Sequence, residues 1–224
     1  MQRDRRWVTF PVMILCAAAR IAAQAPAGDE SKRILGIVPN FRTAPLPSPW
    51  VPLSTRGKFN LAAKDTFDRG TIALGMLFGA EGQLRRTNPS FGNGLAAYAR
   101  YAASSYGDYA IGDYLTDAIY PVMLHQDPRY FRRGNGSGLS RLGYAMGQIL
   151  RTHNDSGRMA FNYSEVFGNA TAVAISNAYY PDSRTAKDAA VKFGLQLAVD
   201  AAGNVLKEFW PDVRRRLLRH RDDH

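Results

Sequence analysis

Proline placement constrains this chain more than any other feature. Pro39, Pro45, Pro47, Pro49 and Pro52 crowd into residues 33–53. Each proline removes an amide donor and fixes the backbone in an extended form, so neither a helix nor a central strand fits there. Residues 26–53 are therefore expected as an extended arm. Its apolar members Ile34, Leu35, Ile37, Val38, Phe41, Trp50 and Val51 imply that it lies against a surface, either of its own domain or of a partner. Beyond it, prolines recur only at Pro89, Pro121, Pro128, Pro181 and Pro211, and the intervals between them are long enough for helices.

Those intervals carry helical periodicity. Ser54 or Thr55 is a plausible N-cap for a first helix through Phe59, Ala62 and Ala63, and Asp68 for a second over residues 71–83. In the second, Ile72, Leu74, Met76, Leu77 and Phe78 surround Gly75, Gly79 and Gly82. Apolarity on every side implies deep burial or membrane contact, and Gly75-x-x-x-Gly79 would permit close helix approach, but the run is too short to span a bilayer, so a buried core helix is expected. Residues 95–120 follow, with Tyr98, Tyr101, Ala102, Ser105 and Tyr109 at three- and four-residue spacing and Pro121 expected as the stop. In residues 139–152, Leu139, Leu142, Met146, Ile149 and Leu150 are expected inward and Arg141, Gln148 and Arg151 outward. Asn162 and Glu165 form a capping-box-like pair opening a helix to about Tyr180, with Gly168, Ala172 and Ser176 on one narrow face. In the last helix, residues 185–210, Asp188, Lys192, Gln196, Asp200 and Asn204 oppose Val191, Leu195, Ala198, Ala202, Val205 and Phe209, and Pro211 is expected to close it.

The fold class that follows is all-α: a compact bundle of about five Gly/Ala-rich helices over residues 54–213, preceded by the arm and followed by a basic tail, residues 214–224. Hydrophobic residues make up 46% of the chain, enough to offset the entropy of ordering one domain. The alternative is a β-rich outer-membrane-type fold, suggested by loose alternation around the Asn154, Asp155, Ser156, Gly157 turn. Alanine content and the capping patterns oppose it.

The amino terminus reads as an export signal. Arginines in residues 1–6 precede an uncharged run, residues 7–19, and a small-residue stretch ending at Ala25. That run falls short of the roughly 20 residues a spanning helix needs, so cleavage near Ala23 or Ala25 is expected, with a retained signal-anchor as the alternative. The single cysteine, Cys16, lies in this segment. The exported chain would hold by packing alone, without disulfides. Leu15 before Cys16 disfavours lipidation, which wants a small residue there. The expected location is the periplasm or outer envelope of a bacterium.

The formal charge of +10 gathers at the ends, with Arg214, Arg215, Arg216, Arg219 and Arg221 in the tail. A mildly basic body argues against nucleic acid as a partner, and the tail suits solvent or anionic lipid.

Chemistry, if any, is most concentrated in residues 124–138. His125 and Asp127 are candidates for an acid/base pair, with Arg129 beside them. Asp113, Asp117 and His125 are candidate metal ligands, though two-residue spacing defines no zinc site. The competing reading is structural: Asp127 caps a turn and Arg129 ties it down. The glycine run after Arg133 could cradle an anion with Arg129, Arg132 and Arg133 supplying charge, but it matches no nucleotide motif, and a flexible basic loop is the plainer reading. No cofactor is expected. Tyr98, Tyr101 and Tyr109, with Met76 and Phe78, are candidates to line a hydrophobic ligand site, against core-edge packing as the plainer reading.

The segments HQDPRYFR (residues 125–132), FNYSE (161–165) and ISNAYYP (175–181), with RILGIVPN at 33–40, resemble an uncharacterised group of exported bacterial proteins. The resemblance implies no activity. The expected function is that of a non-enzymatic envelope protein associated with a membrane surface or an envelope partner. Alternatives are a binder of a hydrophobic or lipid-like ligand, and a metal-assisted or acid/base hydrolase centred on His125 and Asp127.

Overall fold

A computed structural model describes residues 33–222, with side chains through residue 216. The expected signal, Cys16 and the first residues of the arm lie outside those described residues.

The arm is extended and packs on its own domain. A two-residue ladder joins β1 (Arg33–Ile34) to β2 (Val38–Pro39), and β3 (Thr43–Ala44) pairs in parallel with β4 (Tyr130–Phe131). Ile34 is fully buried. Trp50 stacks on His153, meets Phe131 edge-on and donates its indole N–H to the Asp155 carbonyl at 3.0 Å. The Ile37 carbonyl sits where a Cβ on residue 70 would be, only 1.7 Å away, so Gly70 is required for the arm to seat.

The body is helical, as an all-α bundle requires. Helix α1 (Thr55–Thr66) is capped by Ser54, whose hydroxyl accepts from the Gly57 amide, and α2 (Arg69–Arg85) by Asp68, which accepts from Gly70. Helix α3 (Gly94–Tyr114) runs into a π turn (Leu115–Ile119) and then α4 (Tyr120–Met123). Pro121 therefore does not stop this helix. The wider turn ahead of it places the proline in the first turn of α4, where an amide donor is not needed.

Next come α5 (Gly138–Gly147), a hairpin of β5 (Arg151–His153) and β6 (Met159–Phe161), and α6 (Tyr163–Tyr179). The alternation around Asn154 and Gly157 is thus a real hairpin, but a local one three residues long on each side. Asn162 caps α6 at the Glu165 amide, 3.2 Å. Helix α7 (Ala186–Asp222) continues through Pro211, which corrects the expected closure. One turn before the ring, the Glu208 carbonyl accepts from Arg132 and Arg141, both at 2.8 Å.

Helices approach closely through small residues. A Cβ on Gly79 would lie 2.5 Å from Ala102 Cα, and one on Gly75 would lie 3.0 Å from Tyr106 Cα, so α2 and α3 pack backbone to backbone. Gly168 does the same for α6 against Thr116.

The orientation of the faces is largely inverted relative to expectation, although Ile149 is buried and Arg151 exposed as expected. Arg141 is buried, while Leu139 is 83% exposed and Met146 and Leu150 are about half exposed. On α7 the polar stripe with Asp200 and Glu208 turns inward, and Leu195 (64% exposed), Val191 and Val199 face out. Lys58, Asp117, Asp127, Asn169 and Glu208 are essentially inaccessible. Among the described residues, buried polar and charged side chains outnumber buried hydrophobic ones.

Candidate functional site

Two buried polar networks organise the interior. The first is built by the segment that was the strongest candidate for chemistry. Both Asp127 oxygens are taken by Arg129, at 2.9 Å from Nε and 2.6 Å from Nη2, and Asp127 Oδ1 also accepts the Arg129 amide at 3.0 Å. The Asp127 backbone bonds the His153 carbonyl and the Thr152 hydroxyl. His125 is not brought into this arrangement. It sits at positive φ with its imidazole exposed, 3.8 Å from Asp155. The geometry is that of a tied turn.

The glycine run does cradle an anion, and the anion is the chain's own. The Glu208 carboxylate accepts from the amides of Arg133 (3.0 Å) and Gly134 (2.9 Å), from the Tyr130 hydroxyl (2.9 Å) and from Arg141 Nε (2.7 Å). Burial pushes the Glu208 carboxyl up, but these donors prevail and hold it below the usual glutamate value. Arg132 and Arg141 also bind Asp212, at 3.0 and 2.6 Å. Against burial, Arg141, Arg215 and Arg132 lower the Asp212 carboxyl to about 2. Arg132 and Arg133 are thus engaged in docking α5 and its loop onto α7.

The second network lies between α1, α3, the π turn, α6 and α7. Arg42, delivered by the arm, reaches Asp117 Oδ1 at 2.9 Å and Glu165 Oε2 at 3.9 Å, and its Nε donates to the Pro128 carbonyl at 3.1 Å. Asn169 donates to both Glu165 (3.2 Å) and Asp200 (3.1 Å). Asp113 accepts from Thr66 at 3.2 Å. The two expected metal ligands, Asp113 and Asp117, do share this interior with Asp65, but His125 does not join them. Among the described residues no group of three His, Cys, Asp or Glu side chains is arranged to hold a metal ion.

Electrostatics here favour neutral acids. Burial raises Asp65 to about 7, with Asp117 adding to the effect. Burial, then the neighbouring Asp200, raises Glu165 to about 8. Asp113 and Asp117 are raised for the same first reason, Asp117 in spite of Arg42. Lys207 is lowered by burial and by Arg42, against Asp65, Asp117 and Asp200. Sequence inspection missed Arg42, Asp65, Glu165, Asp200 and Lys207 as a group, because they come from four segments far apart in the chain.

A small polar chamber of about 30 Å³ adjoins this network. Arg42, Thr116 and Glu165 line its inner side, with Asp127, Ser164 and Asn204 around it and the exposed Arg151 on its wall. The HQDPRYFR and FNYSE segments meet here. A larger, open depression of about 580 Å³ lies beside Phe41, Lys64 and Phe67, and its Arg33 and Asp68 are paired with each other.

The tyrosine candidates line neither of these cavities. Tyr101 is buried and its hydroxyl exchanges hydrogen bonds with the Asn88 backbone at 2.6 and 2.9 Å. Tyr98 reaches the Met76 carbonyl at 3.4 Å, and Tyr109 lies 6.2 Å from Phe78, while Met76 and Phe78 are on the outer face. No protein-family model, curated protein or solved structure matches the chain.

Proposed function

We propose that the protein is a non-enzymatic, exported envelope protein that seats the apolar outer faces of its helices in a lipid surface. The observation that carries this reading is the inversion of its faces. Burying Glu208, Asp117 and Lys58 while presenting Leu195, Met76 and Leu139 outward is costly in water, and each such apolar side chain regains about 1.5–3 kcal/mol when lipid covers it. Packing through Gly75 and Gly79 is the mode expected where hydrophobicity does not drive helices together. No helix among the described residues is long and apolar enough to cross a membrane, so the reading is of a bundle lying at the interface. The arginines at the end of α7 suit an anionic headgroup layer.

Flotation of the purified protein with vesicles tests this. The protein is expected to rise with vesicles containing anionic lipid. Remaining wholly in the dense fraction, with anionic and zwitterionic vesicles alike, overturns the proposal.

A further inference from the structure

The interior between α1, α3, α6 and α7 holds more acid than base. Asp65 on α1, Asp113 on α3, Asp117 in the π turn, Glu165 on α6 and Asp200 on α7 face one another, with Arg42 from the arm and Lys207 from α7 as the cations among them. Asp68 adds its charge from the start of α2, and Asp127 and Arg129 neutralise each other at the chamber wall. Fully ionised, the buried Asp65, Asp117 and Glu165, with the half-buried Asp113 and Asp200 beside them, would outnumber the two cations in a space largely removed from water, which burial opposes. Something positive must therefore be held there.

The geometry restricts what that is. Asp65 Oδ1 and Asp117 Oδ2 are inaccessible and have no hydrogen-bond partner among the described residues, and both side chains are more than nine-tenths buried. The donors are not arranged for a metal ion. The adjoining chamber, about 30 Å³, has room for about one or two waters and nothing larger. Its wall runs from the exposed Arg151 past Ser164 to Glu165 and Arg42. Water can reach Glu165 by that route; from there Asn169 bridges to Asp200, and Arg42 bridges to Asp117.

We infer that this interior is a proton-binding site, in which Glu165 exchanges protons with water in the chamber and the carboxyls of Asp117, Asp65 and Asp113 behind it hold protons of their own. When Glu165 releases its proton, its O–H bond breaks as one forms on a water of the chamber, and the carboxylate stays anionic until a hydronium there returns a proton. The ligand is the proton itself. This inference stands apart from lipid seating and holds in micelles as on vesicles.

Infrared difference spectroscopy on the purified protein in detergent micelles tests it. Protonated carboxyl C=O absorption is expected at pH 6 and is lost in two steps on raising the pH to 9, the upper one near 8. It shifts within seconds in D₂O, because the chamber gives water access. Glu165→Gln removes the upper step and keeps the lower, and Asp65→Asn does the converse. Absence of any protonated carboxyl signal in the unsubstituted protein between pH 6 and 9 overturns the inference even if neither variant folds. So does a signal that fails to shift in D₂O over hours.

Discussion

Glu208 collects its four carboxylate donors from a segment about seventy residues earlier in the chain, and its backbone carbonyl takes two more. This explains why the glycines and arginines after Phe131 were legible as an anion cradle while the anion was not: nothing in the spacing of α7 marks Glu208 as the occupant. Glu208→Ala should cost about 3–5 kcal/mol in unfolding free energy, because Arg141 Nε, the Tyr130 hydroxyl and the Arg133 and Gly134 amides all lose their acceptor, although Arg141 keeps Asp212. Denaturant titration measures it. A loss under about 1 kcal/mol would mean the network is ornamental. The same residues set an acid limit. The folded carboxyl of Asp212, near 2, lies below its unfolded value, so its stabilisation is complete above about pH 4 and disappears as pH falls toward 2. Thermal unfolding across that window should show the decline, and Asp212→Asn should flatten it.

Among the elements, capping residues were the dependable signals. Ser54, Asp68 and Asn162 each bond the amide that a cap should, since a cap depends on one local turn and not on tertiary context. Pro121 and Pro211 misled for the opposite reason. A proline's cost depends on whether the lost donor had an acceptor, and here a π turn precedes Pro121 while α7 runs on through Pro211. Glycine spacing in α2 was correctly suggestive of close approach. Gly79→Ala should destabilise by about 1–3 kcal/mol, since its methyl would lie 2.5 Å from backbone of α3. Gly112→Ala in α3 has nothing within 4 Å and should be neutral or stabilising by up to about 1 kcal/mol. Paired thermal melts of the two variants distinguish a packing constraint from helix propensity.

For the molecule as a whole, periodicity identified the faces of α5 and α7 but assigned them the wrong way round. A hydrophobic period states that a helix has two sides; which side turns inward is decided by partners elsewhere in the chain, such as Arg141 and Asp212 for α5 and α7. Inversion also gives stability an unusual dependence on pH. Glu165 and Asp65 have folded values near 8 and 7, above their ordinary 4.5 and 3.8. The folded state therefore binds more protons than the unfolded one between those limits, and stability falls as pH rises from about 4 to 8. Glu165→Gln should remove much of that slope, on the order of a few kcal/mol across the window. A wild-type melt that strengthens steadily from pH 5 to 8 would contradict it.

The outward position of Leu195, Val199 and Leu206 on α7 has a sharper consequence, because inward and outward placement predict opposite results for one variant. Were these side chains a core, replacing all three by glutamine would unfold the protein, at about 2–5 kcal/mol each. Facing lipid, they leave the interior untouched, so L195Q/V199Q/L206Q should keep its helical circular dichroism and its denaturant midpoint in buffer. What it should lose is affinity for vesicles. Even at about 1 kcal/mol per partly covered side chain, the three together reduce partitioning by about 100-fold. Sedimentation with anionic vesicles gives that ratio directly. Unchanged partitioning with an intact fold would place lipid on another face, and loss of fold would place these residues inside.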